Sequence, residues 1–119
     1  MLKDLAGKNV YIAGPMTGIE GYNRIEFMRA YLSLRVHVLG LLNPALLPTT
    51  LRNPGDYMKI CLPMIEASDA CVFLPGWRNS RGATTEYQHA RQHGLPCYDV
   101  EIKRKGLPVV TLISDDCTV

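Results

Sequence analysis

The stretch L-P-G-W-R-N-S-R-G-A-T-T-E, from Leu74 to Glu86, carries the residue types and spacing best suited to chemistry. A β-prone run, Ala70 to Leu74, leads into it, and a helical pattern from Gly82 to His93 leads out. Such a strand-to-helix crossing in a parallel α/β sheet lies at the carboxyl ends of the strands, where ligands bind. Ser80 offers a hydroxyl and the amides around Gly82 offer free donors; together they suit a dianion such as a phosphate. Arg78 and Arg81 flank the serine and could add charge. Glu86 places a carboxylate in the first turns of the helix, where the positive end of the dipole favours its ionised form. Each residue also has a plainer use. A serine before a helix is a common N-cap, and a glutamate near a helix start commonly serves the dipole alone.

The elements that must position these groups follow from periodicity and punctuation. Asn9 to Ala13 reads as a first strand, ended by Gly14-Pro15-Met16-Thr17-Gly18, whose glycines let the backbone turn sharply and approach a ligand closely. Arg24 to Arg35 reads as an amphipathic helix with Ile25, Met28 and Leu32 on its apolar face, widened by Phe27, Tyr31 and Leu34. Val36 to Leu42 is a near-continuous apolar run, read as a buried second strand that Asn43-Pro44 stops. A Pro- and Thr-rich loop, Ala45 to Gly55, precedes a helix carrying Met58, Cys61, Leu62 and Ile65 on one side, with Asn53-Pro54 at its start. Pro63 predicts a kink or break near Lys59 to Pro63, because it removes a hydrogen bond.

Beyond the opening stretch, Gly94 closes the third helix, Leu95 to Val100 reads as strand four and Pro108 to Ile113 as a fifth β-prone run, an edge piece or a subunit contact. The order βαβαβαββ predicts a small, three-layer α/β fold with a mostly parallel five-stranded sheet, flavodoxin/Rossmann-like in kind.

Bulk properties set the class. At 119 residues, 47% hydrophobic and 20% charged, the chain reads as a single domain, residues 1–119, with one core. A net charge of +2 argues for neither a nucleic-acid nor a membrane partner, and Lys103-Arg104-Lys105 reads as a solvated loop. Cys61, Cys71, Cys97 and Cys117 lack a C-x-x-C spacing, and the first residues show no apolar signal segment. A thiol-reduced, cytoplasmic protein is the expectation, with Cys71 and Cys97 as core hydrophobes. There is no G-x-x-x-x-G-K-[ST] phosphate loop, no G-x-G-x-x-G dinucleotide fingerprint and no local Ser-His-Asp arrangement, so no cofactor is expected. No metal is expected either: His89 and His93 share a helix face at i, i+4, but two histidines on a surface helix are ordinarily just solvated.

Four pieces in order, Y-I-A-G-P-M-T-G (Tyr11 to Gly18), Asn43-Pro44, D-A-C-V-F-L-P-G-W (Asp69 to Trp77) and S-R-G-A-T-T-E-Y (Ser80 to Tyr87), resemble the nucleoside 2-deoxyribosyltransferase-like family, which includes 2'-deoxynucleoside 5'-phosphate N-hydrolases. The resemblance implies a catalytic Glu86 that attacks the anomeric carbon of a nucleoside or nucleotide, with Tyr11 near it. It implies a substrate pocket lined by Gly14, Pro15 and Met16 and by Ser80 and Gly82. It also implies a homodimer or higher homo-oligomer, with Thr111 or Ser114 reaching a neighbouring subunit's site. A serine at position 80, where the transferases resemble one another in an aspartate, points to a 5'-monophosphate, since an aspartate would repel the dianion. Trp77 is a candidate wall for the base, because an aromatic face stacks on a nucleobase.

The physical chemistry of the step agrees with the implied role. Breaking an N-glycosidic bond builds positive charge on the sugar, which a fixed carboxylate both stabilises and captures. One position departs from the pattern. The resemblance implies an aspartate eight residues before Asp69, and that place is Cys61. A neutral thiol does not replace a carboxylate, and Asp56 lies more than a turn away. The expected activity is cleavage of a nucleoside 5'-monophosphate; base exchange between nucleosides and nucleotide binding without turnover are the alternatives.

Overall fold

A computed structural model describes residues 1–114 of the chain; Cys117 lies outside the described residues. Five strands form one sheet: β1 (Asn9–Ala13), β2 (Gly40–Leu42), β3 (Ala70–Phe73), β4 (Cys97–Glu101) and β5 (Val109–Leu112). Their spatial order is β2-β1-β3-β4-β5, with every pair parallel except β4 and β5. This is the flavodoxin-like order, and the three-layer, mostly parallel α/β architecture expected from the chain is the one observed.

Three helices cover the sheet: α1 (Arg24–Leu34), α2 (Pro54–Glu66) and α3 (Arg81–Gln92). Alternation along the strands divides the core. Val10 and Ile12 of β1 join Val72 of β3 under Phe27, Ala30 and Leu34 of α1. Tyr11 and Ala13 join Cys71 and Phe73 on the opposite face, under Cys61 and Ile65 of α2 and Ala83, Tyr87 and Ala90 of α3. Cys71 and Cys97 are fully buried, as core hydrophobes should be.

Four local expectations need correction. The run Val36 to Leu42 is not one strand: Arg35–His37 is a 3-10 turn, Val36 and Leu39 are exposed, and only Gly40–Leu42 pairs with β1. A short apolar run cannot by itself distinguish a helix end from a strand. The buried stripe of α1 is Phe27, Ala30 and Leu34, while Ile25 and Leu32 face solvent. Both stripes have helical spacing, and packing on β1 selected the one with the largest ring. Pro63 neither breaks nor splits α2. It sits in the exposed part of the penultimate turns, where solvent can satisfy the carbonyl it leaves without a partner. Leu95 is not in a strand; its amide bonds to the Ala90 carbonyl and closes α3 behind Gly94, whose φ of 72° explains the glycine.

The fifth run is an edge strand. It pairs antiparallel to β4 from Glu101↔Val109 to Tyr98↔Leu112. Among the described residues, no helix is long and apolar enough to cross a membrane.

Candidate functional site

The chain leaves β1 through α1 to reach β2 on one side, then crosses by α2 to β3 on the other side of β1. The carboxyl ends of β1 and β3 therefore form a topological switch point, where loops diverge and leave a crevice. Gly14 and Leu74, the residues that follow these strands, meet there. A Cβ on Gly14 would stand 2.9 Å from the Leu74 Cβ, so only glycine allows the two loops this close.

Two cavities open at the switch point. One, of about 380 Å³, is lined by Gly14, Met16, Cys61, Ser80, Gly82 and Glu86, among others. The other, of about 370 Å³, is lined by Pro15, Thr17, Pro75, Gly76, Asn79 and Ser80 with neighbours from the start of α1. Thr17 and Ser80 line both, so the cavities adjoin at the start of α3.

Glu86 lies at the inner wall of the first cavity, 5% exposed. The Tyr11 hydroxyl, delivered by β1, donates a hydrogen bond to its Oε2. Burial pushes the Glu86 carboxyl up to about 7, against the opposing pull of that hydrogen bond. The helix dipole expected to keep Glu86 ionised is thus outweighed by desolvation. Glu86 sits in the second turn, where the dipole has already faded. Tyr11 in turn has its hydroxyl proton held well above the usual phenol range, chiefly by burial and then by the neighbouring Glu86 charge. Cys61 completes the group: its thiol is raised to about 11 by burial, partly offset by the neighbouring Tyr11 hydroxyl, and is therefore neutral near pH 7. The position where the resemblance implies an aspartate does face the same pocket as Glu86.

Ser80 is the N-cap of α3. Its Oγ accepts from the Ala83 amide at 3.2 Å, which leaves its hydroxyl proton for another acceptor. Capping and ligand binding are not exclusive here, because the two uses engage different parts of the hydroxyl. Gly82 lines the first cavity, with the Met58 Cε 3.3 Å from where a Cβ would sit.

Trp77 requires a correction. It lines neither cavity; its indole is 5% exposed, tilted against Phe73 at 4.8 Å and Tyr87 at 4.9 Å between centroids. Its Nε1 donates to Asp99 Oδ1 at 2.8 Å, and the Arg78 guanidinium lies 4.5 Å from the ring centroid. The face expected to stack on a base is already covered by protein. Arg78 is committed too, paired with Asp99 at 3.2 Å. Asp56 pairs with Lys59 and lines neither cavity. Thr111 lies beside Asp99 on the edge strand and Ser114 follows it, so within one chain neither reaches the crevice.

Several wall residues were not singled out by their sequence setting. Arg24 and Arg52 bring positive charge to the first cavity, and Tyr57 and Thr49 line it beside them. Arg24 Nη2 donates to the Leu47 carbonyl at 3.3 Å and ties α1 to the Pro- and Thr-rich loop. The signal available was the loop itself, since loops over the carboxyl edge of a parallel sheet carry function disproportionately. Asn43 is buried and caps the next turn through its Oδ1 and the Ala45 amide, while Pro44 lines the cavity.

A family model described as a domain of unknown function (DUF4406) matches residues 8–99, a span that contains β1, the crevice, α2, α3 and the first part of β4. No curated protein matches the chain.

Proposed function

The chain belongs to the DUF4406 family, and we propose that its crevice cleaves the N-glycosidic bond of a nucleoside 5'-monophosphate, with Glu86 as the nucleophile. The observation that carries this reading is the Tyr11–Glu86 hydrogen bond on the wall of a cavity of about 380 Å³ at the β1/β3 switch point. A buried carboxylate with one oxygen held by a phenol and the other available is oriented for attack on an electron-poor carbon. Glu86 bonds to the anomeric carbon as the bond to the base breaks, and the electron pair leaves with the base. Water then adds to that carbon and frees Glu86, its proton ending on the released base. Because positive charge develops on the sugar, the step itself favours the ionised carboxylate that burial disfavours in the free protein.

The substrate class follows from the walls. The Ser80 hydroxyl and the early amides of α3 favour an anion, and Arg24 and Arg52 reinforce that sign. A 5'-phosphate there would hold the sugar beside Glu86. The neutral Cys61 thiol favours a second reading, a nucleotide-binding protein without turnover, since a thiol with its proton held to about 11 is a poor acid for the departing base.

Incubation with a panel of nucleosides and their 5'-monophosphates, with free base followed by chromatography, separates these readings. Release from monophosphates that disappears in Glu86→Gln supports cleavage. Exchange that needs an added free base indicates transfer instead, and tight binding with no release from any member rejects catalysis.

A further inference from the structure

We propose that Glu66, His89 and His93 form a divalent-metal site of the zinc class that clips the C-terminal ends of α2 and α3 together. One potential ligand atom from each residue lies within 4.8 Å of the others. His89 stands in the last turn of α3 and His93, four residues on, is its C-cap, while Glu66 closes α2, so the third donor comes from a separate helix. His89 Nε2 already meets Glu66 Oε2 at 2.8 Å. In a tetrahedral site with bonds of about 2.0–2.2 Å the donors stand roughly 3.3 Å apart, so a metal replaces the shared proton with little movement.

A backbone contact fixes the tautomer of His93. Its Nδ1 lies 2.9 Å from the His89 carbonyl, which can only accept, so Nδ1 carries the proton and Nε2 of the neutral ring keeps its lone pair. A ligating imidazole is ordinarily held by such a bond from its other nitrogen. The two rings lie 4.4 Å apart between centroids. Glu66 and His93 are exposed, so both can make the final adjustment and solvent can supply the fourth ligand. Two imidazoles and one carboxylate suit Zn²⁺ and related ions rather than Mg²⁺ or Ca²⁺. The cluster lies toward the amino ends of the strands, opposite the crevice, and the proposal is independent of what the crevice does. Tying α2 to α3 there would brace the two helices that carry Cys61 and Glu86.

The test uses the full chain, reduced and chelator-treated, titrated at pH 7.5 with Co²⁺ and with Zn²⁺. One equivalent of Co²⁺ should give the visible bands of a tetrahedral nitrogen- and oxygen-ligated ion, and Zn²⁺ should raise the melting temperature. His93→Ala, at an exposed position, should weaken binding at least tenfold and abolish the thermal shift, and Glu66→Gln should do the same. Absence of both signals in the wild-type chain, unchanged affinity in both variants, or an intense thiolate-to-cobalt band in place of the expected spectrum overturns the site.

Discussion

The Tyr11 hydroxyl and the Glu86 carboxylate, 75 residues apart in the chain, form a buried hydrogen bond that joins the first strand to the third helix. Tyr11 is fully buried and Glu86 nearly so, so the bond acts in a medium where its loss is felt strongly. Tyr11→Phe removes a donor that lowers the Glu86 carboxyl, which must then rise above its value of about 7. The midpoint of any activity that needs ionised Glu86 should move to higher pH. A pH–rate profile, or a carboxyl titration by NMR, checks the direction.

The same burial makes stability depend on pH. The folded Glu86 carboxyl is raised from 4.5 to about 7. Its contribution is complete below the unfolded value and is lost as pH rises through the folded one, because the unfolded chain ionises first. Glu86→Gln should therefore gain stability relative to the wild type between about pH 4.5 and 7, reaching on the order of 3 kcal/mol, and gain no more beyond pH 8. Urea unfolding at a series of pH values measures it.

Gly14→Ala should cost about 1–3 kcal/mol, since the new methyl meets the Leu74 Cβ at 2.9 Å and the strands beneath cannot separate. The loss should appear as a lower urea midpoint at constant m-value. Ligand affinity should fall with it, as the two loops that frame the crevice are forced apart.

Ser80→Asp separates the two uses of that serine. Aspartate is as good an N-cap as serine, so stability should change by less than about 0.5 kcal/mol. Monophosphate binding should weaken much more than nucleoside binding, because only the phosphate meets the added charge. Calorimetric titration with matched pairs of ligands is the measurement, and equal weakening of both would remove the phosphate from this position.

Trp77→Phe tests the reassignment of the only tryptophan. Loss of the bond to Asp99 and of part of the packing on Phe73 and Tyr87 should lower stability by about 1–3 kcal/mol. Affinity for a monophosphate should stay within twofold. A large drop in affinity, with the fold intact by circular dichroism, would restore Trp77 to the pocket wall.

Much of this protein was legible in one dimension. The β-prone run Asn9 to Ala13 and the apolar run at Ala70, each followed by a loop and a helical period, dictate a parallel α/β sheet because short crossovers permit little else. The spacing of Ser80, Gly82 and Glu86 on a strand-to-helix crossing marked the crevice for a similarly local reason, since one helix start sets all three positions.

What only the tertiary structure decided depends on groups from different elements sharing a low-dielectric space. The desolvation that outweighs the dipole at Glu86 is created by β1, α2 and α3 together, and no window of sequence contains it. Trp77 and Arg78 could be assigned to packing only when Asp99, Phe73 and Tyr87 were seen around them. The buried stripe of α1 was ambiguous because two apolar stripes have the same period, and contact with the sheet chose Phe27, Ala30 and Leu34. The pair His89 and His93 looked merely solvated until α2 brought Glu66 to within 2.8 Å of one of them. Sequence periodicity specifies the faces of elements; which faces meet, and what charge state survives between them, is set by packing.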